Sequence, residues 1–235
     1  MRGLFVTGTD TGVGKSVLSA ALAATMAAAG ERVRAFKPVV TGLEDEQAPE
    51  TMSGWPPDHE LLAAAAGMDA QDVAPLRFGP AVSPHLAARL QGTAIDPGPL
   101  VEHARSSAAA GSVLVAEGVG GLLVPLADDY SVCDLAVELG LPLLIAARPG
   151  LGTINHTLLT LRVARAAGLR VCAVVLTPWS REPSEIELSN RETIARLGEV
   201  EVAALGRVPE PTREALAHCG ASLPWPRWLE ACQQS

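Results

Sequence analysis

The chain has 235 residues, of which 48% are hydrophobic, 19% charged and 3% aromatic. This length and aliphatic content predict one α/β domain over residues 1–235 and exclude a disordered chain or a small disulfide-stapled protein. The formal net charge of −8 excludes an extended nucleic-acid surface, which needs clustered lysine and arginine, but it permits one bound nucleotide.

The N-terminal segment has too short an apolar run for a signal peptide, and no later run is long enough for a membrane span. We therefore expect a cytoplasmic protein with no membrane partner. The four cysteines share no C-x-x-C spacing, which favours reduced thiols over a zinc site or a redox pair.

Short apolar runs alternate with longer helical patterns, which is typical of a parallel sheet covered by helices. Right-handed crossovers then predict a doubly wound, mostly parallel α/β fold with ligands at the carboxyl ends of the strands. The predicted strands are Leu4–Val6, Val33–Phe36, Val113–Ala116, Leu143–Ala147, Val171–Leu176 and Val202–Leu205. The predicted helices are Lys15–Ala29, Asp58–Ala66, Pro99–Ala110, Val132–Leu139, Thr153–Ala167 and Ser184–Leu197, and five of them end at Gly30, Gly111, Gly140, Gly168 and Gly198.

Three segments lack this alternation. The acidic, proline- and glycine-containing stretch Glu44–Pro57 predicts a mobile surface loop over or beside the site. Val73–Pro99 predicts an irregular insertion around a short helix at His85–Gln91. The tail Thr212–Ser235 predicts an amphipathic patch packed on the sheet or between subunits.

A nucleotide-binding motif follows the first strand. It reads Gly8-Thr9-Asp10-Thr11-Gly12-Val13-Gly14-Lys15-Ser16 and leads into a long helix. Backbone N–H groups from Thr11 to Ser16 would wrap a phosphate, Lys15 would reach the β- and γ-phosphates, and Ser16 would ligate Mg²⁺. The glycine of the strict pattern lies one residue early, at Gly8. The alternative is a glycine-rich turn that only joins strand to helix.

Charged residues follow the next two predicted strands. Lys37 could neutralise a γ-phosphate, or it could be an ordinary surface lysine before a turn. Glu117, before a glycine-rich turn, predicts a second acid at the metal, with a solvent-facing loop acid as the alternative. The position of Asp58 at a helix start favours a plain N-cap.

A second anion site is predicted where Gly152-Thr153-Ile154-Asn155-His156 begins a helix after a strand. Free N–H groups there would suit a carboxylate. Spacing alone favours the simpler interpretation, in which Thr153 caps the helix.

Taken together, these motifs resemble those of the dethiobiotin synthetases in order and spacing. The matching segments are Gly8–Ser16, Lys37–Gly42, Ser83–His85, Glu117–Gly121 and Leu151–His156. The phosphate loop alone is common to many proteins, whereas its combination with Lys-Pro-Val and Gly-x-Ile-Asn-His is specific.

The resemblance implies a P-loop nucleoside triphosphate hydrolase fold and an ATP- and Mg²⁺-dependent homodimeric ligase. Such an enzyme closes a cyclic urea on 7,8-diaminononanoate with CO₂ or bicarbonate, through a carbamate and a carbamic-phosphoric anhydride. It acts at the penultimate step of biotin biosynthesis and releases ADP and phosphate.

The resemblance also implies roles for individual residues. Lys15 and Lys37 would be catalytic, and Ser16, Asp58 and Glu117 would hold Mg²⁺. The nucleotide would contact Thr11, Gly12, Val13, Gly14, Lys15, Ser16, Val17, Thr177 and Pro209. The diamine or its carbamate would contact Thr11, Lys37, Thr41, Glu117 and Gly118, and the partner subunit's loop would hold the carboxylate through Gly152, Thr153, Ile154 and Asn155.

Two departures from the family pattern bear on specificity. Many members carry an asparagine that reads the adenine edge where this chain has Thr177, and a hydroxyl cannot reproduce the paired donor and acceptor of an amide. We therefore expect other nucleoside triphosphates to be accepted. Gly12 replaces a residue that is often acidic, with little expected effect because the loop acts through its backbone.

Two other functions compete with a synthetase. A partition or septum-positioning ATPase would carry an extra lysine near the start of the phosphate loop, where this chain has Thr9, Asp10 and Thr11. A small-metabolite kinase would not need the motif at residues 152–156. Phosphate release that depends on both diamine and bicarbonate separates the three.

Overall fold

The structure is a computed structural model that describes residues 1–44, 54–108 and 111–230. Its strands are β1 (Gly3–Gly8), β2 (Arg32–Phe36), β3 (Val39–Val40), β4 (Leu76–Arg77), β5 (Ser112–Gly121), β6 (Pro125–Ala127), β7 (Tyr130–Ser131), β8 (Leu143–Ala147), β9 (Val171–Trp179) and β10 (Glu201–Gly206). Its helices are α1 (Lys15–Ala28), α2 (Asp58–Ala66), α3 (Ala70–Val73), α4 (Pro84–Leu90), α5 (Pro97–Ser107), α6 (Val132–Leu139), α7 (Thr153–Ala166), α8 (Glu185–Gly198), α9 (Arg213–Gly220) and α10 (Trp225–Glu230).

The six predicted strands form one sheet in the order β10-β9-β8-β1-β5-β2, and every neighbouring pair is parallel. β1 lies between β8 and β5, so the turn after it is at the centre of the carboxyl edge. Strands β1 and β8 are buried along their whole length, as their continuous apolar sequences require. The predicted parallel α/β fold is confirmed.

Two hydrophobic clusters cover the two faces of the sheet. Alternate residues of a strand point to opposite faces, so Leu4 and Val6 join one cluster and Phe5 joins the other. The cluster around Leu4 includes buried side chains of α1, α2 and α9, and that around Phe5 includes side chains of α5, α6 and α7. Trp228 is buried in the cluster around Leu4, so the C-terminal tail packs on the sheet.

Some predicted boundaries were wrong. Glu199, at φ 44°, takes the left-handed conformation after α8, whereas Gly198 is the last residue of that helix. The glycine-rich segment after Glu117 is not a turn but the end of β5, because Gly121 pairs with Gly8 of β1.

The structure describes the three irregular segments to different extents. Val73–Pro99 contains β4 and α4, the short helix predicted one residue later. Residues 45–53 of the predicted Glu44–Pro57 loop and residues 231–235 of the tail lie outside the described residues. Within residues 1–44, 54–108 and 111–230, no helix has the length and apolar character needed to cross a membrane.

Candidate active site

The connection between β1 and α1 has the geometry of a phosphate loop. Gly14 precedes the helix in a left-handed conformation at φ 91°, with no side-chain cap, and the first helical turn contains no acid. The N–H groups there are therefore available to an anion. A Cβ at Gly8 would lie 2.8 Å from Val13 Cγ2 and 3.0 Å from Lys15 Cδ, so the displaced glycine lets the loop fold back closely onto the strand.

Lys15 is held over this loop. Its side chain is buried, and Nζ donates a hydrogen bond of 2.9 Å to the carbonyl oxygen of Asp10. Burial lowers the pKa of Lys15 to about 8, and the charge of Glu117 opposes this shift. The ammonium form thus predominates at neutral pH, where it can neutralise phosphate oxygens.

Four predicted residues from separate elements meet beside the loop. Lys37 Nζ, just after β2, donates to Glu117 Oε1 of β5 at 2.6 Å and to Asp58 Oδ2 of α2 at 2.5 Å. Ser16 Oγ of α1 donates to Glu117 Oε1 at 2.8 Å. Glu117 is fully buried and Lys37 nearly so, whereas the Asp58 side chain is 40% exposed. One lysine therefore bridges both predicted metal-binding acids.

Charge pairing dominates the electrostatics of this cluster. Burial disfavours the charged form of Lys37, but the charges of Asp58 and Glu117 outweigh it and raise the pKa of Lys37 above its ordinary value. Burial likewise opposes ionisation of Asp58, and the charge and hydrogen bond of Lys37 bring its pKa below the usual range. Lys37 and Asp58 are therefore both charged at neutral pH, as their ion pair indicates.

These contacts decide between the alternatives left open by the sequence. Lys37 is not a surface lysine, and Glu117 is not a solvent-facing loop acid. Asp58 is not an N-cap, because Pro57 holds that position and Asp58 is the first helical residue with its carboxylate on Lys37.

The cluster fits a hard divalent cation. Its donors are one hydroxyl oxygen and carboxylate oxygens, and Glu117 Oε2 is a buried oxygen with no hydrogen-bond partner among the described residues. The described part of the chain contains no group of three or more histidine, cysteine or acidic side chains arranged to hold a metal. Mg²⁺ suits this sparse set, since it typically takes one or two carboxylates and completes its shell with water and phosphate.

The other residues predicted to bind the diamine come from the phosphate loop, β5 and the segment after β3. Thr11 is exposed on the loop, and a Cβ at Gly120 would lie 3.6 Å from its hydroxyl oxygen, so the end of β5 runs beside the loop. Gly118 is packed tightly, because a Cβ there would lie 2.7 Å from Val132 Cγ1. Thr41 is half-buried after β3, with no side-chain hydrogen bond to Lys37 in the described part of the chain.

The predicted base-binding residues lie on the opposite side of the loop. Thr177 is buried near the end of β9, and its Cγ2 is 2.8 Å from where a Cβ at Gly14 would lie. The Thr177–Pro178 peptide bond is cis. Pro209 is exposed after β10, the neighbour of β9, and Val17 is half-buried in the first turn of α1.

The start of α7 is an uncapped helix end, as an anion site requires. Gly152 precedes it at φ 89° with no side-chain cap, and the Thr153 hydroxyl is directed instead toward the Thr157 hydroxyl oxygen, 3.5 Å away. The prediction that Thr153 caps this helix is therefore wrong. Leu151 is 98% exposed and Asn155 is also exposed.

The structure brings one unpredicted side chain to the loop. Arg148 follows β8, and its Nη2 donates a hydrogen bond of 3.1 Å to the carbonyl oxygen of Thr11. Its location at the carboxyl edge of the sheet was a usable signal, because ligands of such folds bind there. The buried Asn190 of α8 holds the residues after Arg148 by donating to the carbonyl oxygens of Pro149 and Gly150 at 2.9 and 3.1 Å.

Comparison with known proteins assigns the chain to a family. A family described as "AAA domain" matches residues 2–213. The ATP-dependent dethiobiotin synthetase BioD of Anaeromyxobacter sp. (strain Fw109-5) is 43% identical over 213 residues, which cover 85% of this chain and 91% of the relative. The protein of the same name from Bacillus subtilis (strain 168) is 35% identical over 223 residues, or 93% of each chain. The chain belongs to the dethiobiotin synthetase family.

Solved structures that resemble this member of the dethiobiotin synthetase family share its fold. The Pyrococcus furiosus cell division ATPase MinD aligns with a TM-score of 0.53 and 16% identity, over 99% of this chain and 98% of its own. A chain of the MinC:MinD cell division protein complex of Aquifex aeolicus aligns with a TM-score of 0.54 and 14% identity, over 95% of each chain. These likenesses support the P-loop α/β fold and say nothing further of activity.

Proposed function

We propose that the chain is an ATP-dependent dethiobiotin synthetase that acts as a single P-loop domain and closes the ureido ring on 7,8-diaminononanoate. The observation that carries this proposal is the likeness to curated synthetases over 85–93% of the chain. The phosphate loop and the bridged Lys37 cluster support it, since they supply the charge that phosphoryl transfer needs.

The reaction has three steps. One amine of the diamine loses a proton and adds to CO₂, which gives a carbamate. A carbamate oxygen then attacks the γ-phosphorus of ATP, forming a carbamic-phosphoric anhydride as ADP leaves. The second amine attacks the carbonyl carbon, loses a proton and expels phosphate, which closes the cyclic urea. The enzyme's task is therefore to align three reactants and to neutralise charge.

Roles for this chain's residues follow from the site. Lys15 and the loop N–H groups would bind the outer phosphates, and Lys37 would offset charge on the transferring group. Thr11, Thr41 and Gly118 would contact the carbamate and diamine end. Ser16, Asp58 and Glu117 would hold Mg²⁺, which when bound supplies positive charge at the β- and γ-phosphates.

We propose that the substrate carboxylate binds the start of α7 of a second subunit. The uncapped helix end supports an anion there, and Leu151, almost completely exposed, supports a second copy of the chain covering this turn. Each active site of the homodimer would then combine the phosphate loop of one chain with Gly152, Thr153, Ile154 and Asn155 of the other.

Base selectivity is proposed to be relaxed. The Thr177 side chain is buried against Gly14. It carries a hydroxyl and no amide, so it cannot read the adenine edge as an asparagine would. CTP, GTP and UTP should therefore replace ATP in part.

The test is phosphate release by the purified protein with 7,8-diaminononanoate, bicarbonate and Mg²⁺, in parallel with ATP, CTP, GTP and UTP. The cyclised product is detected by mass. Product with several triphosphates supports both the synthetase and the relaxed base selectivity, whereas product with ATP alone refutes only the latter. Phosphate release without diamine or bicarbonate, and no cyclised product, would favour a nucleotide-dependent switch or a kinase instead.

A further inference from the structure

The β8–α7 connection brings a guanidinium group to the phosphate loop. Arg148 Nη2 lies 3.1 Å from the carbonyl oxygen of Thr11, and a Cβ at Gly12 would lie 3.4 Å from the same nitrogen. Gly12, at φ 69°, therefore leaves space that the guanidinium occupies. Neither the predicted roles nor the proposed reaction uses this residue.

The position of Arg148 is set by the fold. β8 pairs in parallel with β1, with Ala146 opposite Gly8, and the N–H of Thr9 donates to the carbonyl oxygen of Ala146 at 3.0 Å. The end of β8 is therefore level with the start of the loop. Asn190 anchors the two residues after Arg148, so the backbone on this side of the arginine is held while its side chain stays exposed.

Arg148 and Lys15 donate hydrogen bonds to neighbouring residues of the phosphate loop. Lys15 Nζ binds the carbonyl oxygen of Asp10, and Arg148 binds the next carbonyl oxygen along the chain, that of Thr11. Lysines at the Lys15 position of such loops reach the β- and γ-phosphates. A guanidinium group bound to the neighbouring carbonyl oxygen would therefore be within reach of the outer phosphates.

The charges around the phosphate loop favour an additional cation there. Asp10, Asp58 and Glu117 carry three negative charges there, against two positive charges on Lys15 and Lys37. Without Arg148 an anionic nucleotide would approach a loop whose nearby charges sum to a negative value. Both carboxylates of the buried cluster already bind Lys37, whereas Arg148 forms no ion pair among the described residues.

We propose that Arg148 is a catalytic residue that binds the γ-phosphate of the nucleotide and stabilises the charge on it during transfer to the carbamate. Guanidinium suits this role because it is always charged and presents five N–H donors in a planar fork. Only one hydrogen bond of Arg148 is seen in the described part of the chain, so other donors can turn to phosphate oxygens. The transfer part of this proposal rests on the proposed function, and the binding part does not.

The binding part is tested by calorimetry without diamine. Wild type, Arg148→Ala and Arg148→Lys are titrated with ADP and with the β,γ-imido analogue of ATP, in Mg²⁺ buffer. Arg162→Ala is the matched control, because Arg162 is an exposed arginine on neighbouring α7. Arg148→Ala should weaken analogue binding by about tenfold and ADP binding by less than about twofold, with partial recovery in Arg148→Lys. Equal losses for both ligands, or none, would overturn the proposal, since an arginine that only braces Thr11 affects both alike.

The transfer part is tested by steady-state kinetics with diamine and bicarbonate. Arg148→Ala should lower kcat by about a hundredfold while KM for the diamine stays within about threefold, and Arg162→Ala should match wild type. A kcat within threefold of wild type would overturn the catalytic role. If wild type itself makes no cyclised product, the proposed function fails, and the calorimetric result still decides whether Arg148 binds the γ-phosphate.

Discussion

The two proposed anion sites of this molecule are built in different ways. The site at the phosphate loop is held together by hydrogen bonds and ion pairs within one chain, where Lys37 binds two carboxylates and Ser16 binds one of them. The start of α7 presents an uncapped helix end beside the almost completely exposed Leu151. The difference supports the proposal that one chain holds the nucleotide and that the start of α7 in a second chain binds the carboxylate end of the diamine.

Removing the Lys37 side chain should have the largest effect on activity. Lys37→Ala should lower kcat by at least about a hundredfold, because a positioned charge at the transferring phosphoryl group is lost. Single-turnover kinetics measures the step, and thermal melting with and without nucleotide checks that the variant folds. A decrease of less than about tenfold would remove Lys37 from the catalytic residues.

A change at the start of α7 should affect the binding of 7,8-diaminononanoate and not that of ATP. Asn155→Ala should raise KM for 7,8-diaminononanoate by about tenfold and leave KM for ATP nearly unchanged, because an exposed polar contact to the carboxylate is lost. Initial rates over both substrate concentrations separate the two constants. Equal increases in the two KM values would contradict the assignment of this turn to the carboxylate.

The two lysines should respond differently to pH. Burial lowers the pKa of Lys15 to about 8, so its ammonium form is present below that pH and is lost above it. We expect kcat/KM for ATP to be flat below pH 8 and to fall by about tenfold per pH unit above it. Lys37, whose pKa is raised by Asp58 and Glu117, does not titrate in this range. A flat profile well beyond pH 8 would show that nucleotide binding does not depend on the Lys15 charge.

A change outside both sites should alter stability alone. Asp134 and Ser131 cap α6 reciprocally, with the Ser131 N–H and hydroxyl donating to Asp134 Oδ2 at 2.8 and 2.6 Å. Asp134→Ala should therefore decrease the free energy of unfolding by about 1 kcal/mol at neutral pH, with unchanged kcat.

The pH dependence of that effect provides its control. The hydrogen bonds from Ser131 hold the pKa of Asp134 below its usual value, so this stabilisation is present at neutral pH and is lost as the carboxylate is protonated. Urea unfolding of the variant and of wild type should give converging free energies as the pH falls. A constant difference at all pH values would contradict the charged cap.

Much of the fold was predictable because its patterns are local. All six strands of the main sheet and the bounds Asp58–Ala66 follow from apolar runs, periodicity and terminal glycines. The end of α8 did not follow, because Glu199 takes the conformation expected of a glycine. The extension of β5 depends on pairing between Gly121 and Gly8, which are far apart in the sequence.

The site was predictable where residue type and strand position agree. The phosphate loop identifies Lys15 from the sequence, whereas the position of Lys37 after a strand left a surface role open until its burial excluded that role. Asp58 was misassigned from its position alone because its partner comes from another element. Arg148 was missed for the same reason, since its contact with Thr11 exists only because β8 pairs with β1.

The most direct test of the claim that two chains complete each site is complementation between subunits that are impaired at different residues. Lys37→Ala and Asn155→Ala proteins are mixed, allowed to exchange subunits and assayed at low diamine concentration. If the site is shared, each mixed dimer holds one intact site, and random exchange should restore about a quarter of wild-type activity. If both residues serve the same chain's site, activity will stay at the average of the two parents, which would contradict the shared site.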